Sequence, residues 1–229
     1  MFPRLRELQK RFGGDLSPNV YSFEAQDNPI ALKCFRDIEA DLEGVDPSSW
    51  DLLKSEAGPL LTQKDELRGW RALFDKLNEA KGYQYLRHIG CTNVRFIPRS
   101  TRRGMKTPDI EGSLGSIRVL CEVKTINISE DEVRARNNSS VKSILTELPA
   151  GFFTKFRSTL EVARCQMEEY CPGPDVKMVV YVIINFDDIL HEYVPNYSPQ
   201  IRAFITTSPV RGIEVILDIK PPFYYAMSH

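Results

Sequence analysis

Two short stretches of this chain carry side chains that can do chemistry together. The first is Thr107-Pro108-Asp109-Ile110-Glu111 and the second is Cys121-Glu122-Val123-Lys124-Thr125. Residues two apart on a strand point to the same side. Glu122 and Lys124 therefore project together, and Cys121 and Val123 face the other way. A glutamate and a lysine in an otherwise core-like strand are costly to bury unless they pair or meet a cation. Gly115 and Ser116 supply a tight turn that folds the segment of Asp109 back against that of Glu122. Two carboxylates brought close repel each other, and a divalent metal relieves the repulsion. Oxygen donors suit a hard ion, Mg2+ or Mn2+, rather than zinc. Lys124 beside them would orient a water or stabilise charge on a phosphoryl group. The alternative is an edge strand whose Lys124 guards the edge; Leu120 on the same side argues against it.

The elements that must hold these residues follow from periodicity. A helix is expected from Asp65 to about Ile89, with Leu73, Leu77, Ala80, Tyr83, Leu86 and Ile89 at helical spacing and Gly90 as its stop. Strands are expected at 94–98, 109–114 and 117–125, helix and polar loop at 130–147, and a helix over 152–171 with an apolar stripe from Phe153 to Tyr170. The nearly unbroken apolar run 178–186 reads as a strand buried on both faces. A helix near 198–206 and a strand at 213–219 close the chain. Upstream, helices are expected at about 3–12, 29–43 and 49–56. The fold class is α/β, a central mixed β-sheet flanked by helices, preceded by a helical extension. The domain reading is 1–64 for the extension and 65–229 for the α/β domain.

Pro108-Asp109, twelve intervening residues, then Glu122-Val123-Lys124 resembles the motif of the PD-(D/E)XK nuclease superfamily, whose fold is restriction endonuclease-like. The α-β-β-β-α-β order is similar to its common core and spans roughly residues 65–186. The resemblance implies a Mg2+- or Mn2+-dependent endonuclease in which Asp109, Glu122 and the Val123 carbonyl bind metal and Lys124 positions the attacking water. Family members place a further glutamate on the helix before the first strand, a position that Glu79 fits best, with Glu66 as the fallback. Gln166 and Tyr170 have the Gln-x-x-x-Tyr spacing of members similar to RecB-type nucleases, which implies that Gln166 lies near the active site. The other acid-x-Lys triplets, beginning at Glu79, Asp175 and Asp218, lack a hairpin partner acid. The competing reading is a nuclease-like domain that binds nucleic acid or a protein partner without cutting.

Charge distribution adds to this. Arg95, Arg99, Arg102, Arg103 and Lys106 put five positive charges between 91 and 107 with no acid among them. That segment leads straight to Asp109, as a phosphodiester substrate would require. Arg134, Arg136 and Lys142 would extend the patch. Residues 37–66 hold nine acids and two lysines, read as a solvated helical face. The chain of 229 residues has a net charge of -1, which excludes a wholly basic nucleic-acid coat but not a local patch. The expected partner is nucleic acid, DNA before RNA. A homodimer would let both strands be cut, and residues 1–64 could dock a protein partner.

No GxxxxGK[ST] loop or GxSxG elbow points to other chemistry. Five cysteines without a CxxC pair, and three histidines, argue against structural zinc and read as small buried hydrophobes. No apolar signal segment and no membrane span are recognised, so the expected location is the cytoplasm. His88 has only a helix-end role, and His191 is assigned none.

Overall fold

The computed structural model describes residues 2–12, 20–23, 29–66, 69–100, 106–127, 146–186 and 192–220. Arg102, Arg103, Arg134, Arg136, Lys142 and His191 lie outside them, as does most of the 130–147 segment. The helices are α1 (Pro3–Phe12), α2 (Pro29–Glu43), α3 (Pro47–Ala57), α4 (Arg71–Leu77), α5 (Glu79–His88), α6 (Ala150–Tyr170) and α7 (Val194–Thr207), with a 3-10 turn at Gly58–Thr62. The strands are β1 (Thr92–Phe96), β2 (Ile110–Leu114), β3 (Ile117–Asn127), β4 (Val176–Asn185) and β5 (Ile213–Lys220). They form one mixed sheet in the order β1-β2-β3-β4-β5.

The sheet is antiparallel from β1 to β3 and parallel from β3 to β5. Its first half is antiparallel because the connections can be short. Leu114 pairs with Ile117 across Gly115-Ser116, and Gly115 takes φ +61, a left-handed conformation that glycine adopts without strain. Parallel neighbours need a crossover long enough to return the chain. α6 lies between β3 and β4, and α7 between β4 and β5.

Each face of the sheet has its own apolar core. Val119, Cys121, Val123, Val179 and Ile183 pack with residues of α1 to α5, including Leu5, Phe35, Trp50, Leu73, Ala80 and Leu86. Leu120, Ile126, Val180, Val182 and Ile184 pack with Phe156, Leu160, Ala163 and Met167 of α6 and Ile201 of α7. The alternation along β3 and β4 is the period-2 pattern of strands covered on both sides.

The structure departs from three expectations. The helix expected from Asp65 begins at Arg71 and is interrupted at Asn78. Asp65 and Gly69 instead bond each other reciprocally, N–H to carbonyl, at 2.8 and 2.9 Å, and Gly69 takes φ +55, which no right-handed helix allows. Asn78 is held by its amide, which donates to Thr125 Oγ1 at 3.0 Å and accepts from Lys220 Nζ. Second, the acids of 37–66 are not simply solvated. Buried Glu39 accepts from the N–H groups of Arg4 and Leu5 at 2.7 and 3.0 Å, satisfying donors at the start of α1. Asp46 caps α3 through Ser48 and Ser49. Third, Cys91 and Cys121 are buried as expected, but Cys165 is exposed.

At Gly82, α5 lies directly against the sheet. A Cβ there would lie 2.6 Å from Val123 Cγ2 and 2.8 Å from Ile110 Cδ1. At an open helix site Gly82→Ala would stabilise by about 1 kcal/mol. Here overpacking against a β-branched neighbour is expected to win, lowering stability by about 1–3 kcal/mol in chemical denaturation. A variant as stable as the parent would show that the sheet yields at this contact.

Candidate active site

β3 is paired on both sides, to β2 and to β4, so Glu122 and Lys124 stand on a central strand, not on a guarded edge. They share the face that packs under α6. Ile110 pairs with Cys121, which places Asp109, one residue before β2, level with Glu122. Two hydrogen bonds hold Asp109. Its carbonyl accepts from Ile97 N–H at 2.9 Å, and its Oδ2 accepts from Val123 N–H at 2.8 Å.

Glu122 is only 2% exposed. Lys124 Nζ donates to its Oε1, and Gln166 Nε2 of α6 donates to its Oε2 at 2.9 Å. The same amide donates to the Thr107 carbonyl at 2.7 Å. Gln166 thus ties the loop leading to Asp109 to the carboxylate of Glu122. Four residues on, Tyr170 meets Arg118 instead, its ring 5.3 Å from the guanidinium carbon. The Gln-x-x-x-Tyr pair therefore lies along one face of β3, with only Gln166 at the carboxylates.

On the other side of the cavity, Glu79 opens α5 and pairs with Lys76 at 2.6 Å. Lys76 also reaches Glu56 Oε2 of α3 at 2.6 Å. A cavity of about 700 Å³ is lined by Asp109, Glu122, Val123, Lys124, Gln166 and Glu79, by Lys76 and Glu56, and by Arg99 and Lys106. Leu52, Leu60, Phe96 and Ile97 supply apolar wall. Every residue expected in catalysis borders this one cavity.

The basic segment divides. Arg99 and Lys106 border the cavity, and Arg99 lies 3.7 Å from Glu56. Arg95 does not border it; it pairs across the β1–β2 ladder with Glu111, which Arg118 also binds. The competing triplets are absorbed elsewhere: Lys81 bridges Asp41 and Asp218 at 3.4 and 3.2 Å, and Lys177 pairs with Glu214 at 2.7 Å. Lys76 and Glu56 belong to no motif, and Thr107 stands in the Asp109 stretch without an expected role. Only Lys76, three residues before Glu79, left a trace, as a helical i,i+3 pair.

The electrostatics are those of crowded acids. Burial, and then repulsion by Asp109, push Glu122 up to about 7, although Lys124 and Gln166 pull the other way. Burial also raises Asp109, against the Val123 N–H and the charges of Lys76 and Lys124. Glu79 is raised well above the usual range by burial and then by Asp109. Among the described residues, no three His, Cys, Asp or Glu side chains form a ready ligand group. The donors that do converge are oxygens. Two carboxylates fit Mg2+, which keeps several waters and takes few protein carboxylates.

A carboxyl with a raised folded pKa binds its proton more tightly folded than unfolded, so stability falls as pH rises through that window. Metal-free protein should lose on the order of 3 kcal/mol through Glu122 between about pH 4 and its folded value near 7. Glu79 and Asp109 act in the same direction, so Glu122→Gln should flatten the slope only in part. Denaturant titrations in chelator across this range test it; stability that rises with pH in the parent protein would refute the assignment.

Compared with protein-family models, with curated proteins and with solved structures, the chain matches none.

Proposed function

We propose that this chain is a divalent-metal-dependent nuclease of the PD-(D/E)XK type, acting on nucleic acid, DNA before RNA, with a restriction endonuclease-like core. One observation carries the reading. Asp109, Glu122, Lys124 and Gln166, from a loop, a central strand and a helix, border one cavity in which burial raises Asp109, and burial followed by repulsion from Asp109 raises Glu122. Electrostatic relief of that kind is what a bound cation supplies.

When bound, Mg2+ or Mn2+ would polarise a phosphodiester and lower the pKa of a water. Asp109 and Glu122 would hold it, with the Val123 carbonyl as a further donor. The rest is done by this chain's own groups. Lys124, tethered to Glu122 and partly exposed to the cavity, would orient the attacking water and offset charge developing on the phosphoryl oxygens. Gln166 is a positioning residue, because its amide sets the Glu122 carboxylate and the approach to Asp109. Arg99 and Lys106 supply positive charge for the flanking phosphates.

A second reading has one observation in its favour. Glu122 and Glu79 each already pair with a lysine, so the site could persist without metal as a nuclease-like domain that binds nucleic acid or a protein without cutting. Mn2+ titration separates the two, since that reading requires weak binding that Asp109→Asn does not change.

Incubation with mixed DNA and RNA should give cleavage with Mg2+ or Mn2+ and none with EDTA. Asp109→Asn and Lys124→Ala should each reduce it at least about a hundredfold with the melting profile of a folded protein. Undiminished cleavage by either variant would refute the site. Arg99→Ala should weaken nucleic-acid binding evenly across sequences and lower the salt slope by about 1; an unchanged slope would remove Arg99 from the substrate path.

A further inference from the structure

Among the described residues, Lys76 is the one buried cation lining this cavity that the motif does not account for. It is 5% exposed, and its Nζ lies 2.6 Å from Glu56 Oε2 and 2.6 Å from Glu79 Oε1. All three side chains border the same cavity as Asp109. A lysine at that depth is retained only when anions compensate it, and separating it from them would strand a buried charge. Glu79 and Asp109 are near enough to repel, and the charge of Lys76 acts on Asp109 as well as on Glu79.

We propose that Lys76 is a built-in cation of this site, which holds Glu79 out of the metal's ligand set and, through Glu56, makes the N-terminal helices part of the site's charge balance. The inference rests on the nuclease reading and narrows it: Asp109 and Glu122 are the carboxylate ligands, and Glu79 is not one. Among the described residues no group of three acids forms a metal cluster. Glu122 also pairs with a lysine, but Lys124 is partly exposed at the cavity, whereas the lysine on Glu79 is buried and bound a second time by Glu56. The space beside the Glu79 carboxylate is taken by the ammonium group of Lys76. Lys76 is a positioning residue, since it acts through Glu79 and Asp109. Glu56 on α3 completes the arrangement, so the helical extension contributes a charge to the site as well as covering the sheet.

The test is Mn2+ binding by the full chain, followed by the electron paramagnetic resonance signal of free Mn2+, a readout independent of cleavage. The parent protein should bind one ion. Asp109→Asn should weaken binding more than about tenfold, and Glu79→Gln less than about threefold. Lys76→Met removes a fixed positive charge and frees Glu79, so it should tighten binding about tenfold or admit a second ion, whereas Lys76→Arg should behave as the parent. A merely structural Lys76 would not raise metal affinity when removed. If Lys76→Met does not fold, the comparison of Glu79→Gln with Asp109→Asn decides alone. Glu79→Gln binding as weakly as Asp109→Asn, or folded Lys76→Met binding no tighter than the parent, overturns the proposal. A parent protein that binds no Mn2+ overturns the nuclease reading, and this proposal with it. That outcome is distinct from a parent that binds and loses the ion equally in both acid variants.

Discussion

A carboxylate on the middle strand of a covered sheet cannot be left to solvent, and Glu122 is in that position. β3 is hydrogen-bonded on both edges and layered by helices on both faces. The charge of Glu122 is tolerable only because Lys124, two residues on, folds back onto one oxygen while Gln166 reaches down from α6 to the other. Much of the local structure follows from this. α6 must cross β3 at a height that brings Gln166 to Glu122, and the same amide then fixes the Thr107 carbonyl and the entry to Asp109.

The opposite face solves a different problem. α5 has to approach closely enough for Glu79 to reach the cavity, and it does so over Gly82, whose missing side chain admits Val123 and Ile110. The N-terminal helices are bound to this arrangement by polar as well as apolar contacts. The hydroxyl of Tyr83 on α5 donates to the capping carboxylate of Asp46 at 2.8 Å, and Lys76 joins α3 to α5 through Glu56 and Glu79. Buried ion pairs of this kind add little net stability compared with apolar packing, but breaking one is expensive.

The strand and helix order was legible because period-2 alternation and amphipathic stripes are local. The apolar run at 178–186 splits its side chains between the two cores as such a strand must. The interruption at Asn78 was not legible, because the partners of Asn78, Thr125 and Lys220, lie 47 and 142 residues away. The same reason hid Glu56 behind an acidic stretch that looked merely solvated. Within the basic segment, sequence proximity suggested one patch. The β1–β2 register instead assigns Arg95 to Glu111 and leaves Arg99 and Lys106 at the cavity.

The sequence by itself determined which groups could do chemistry: an acid before a hairpin, an acid and a lysine two apart on the returning strand, and a glutamine on the following helix. Those relations depend on backbone period and turn length, which neighbouring residues set. Tertiary structure alone decided how the charges are shared. Whether an acid is bare, hydrogen-bonded or locked to a lysine depends on side chains delivered by distant elements into a space where water cannot compensate them. Glu122 and Glu79 each open an acid-x-Lys triplet along the chain. In the fold one faces α6 with Lys124, and the other is held by a lysine that is itself anchored to the N-terminal helices.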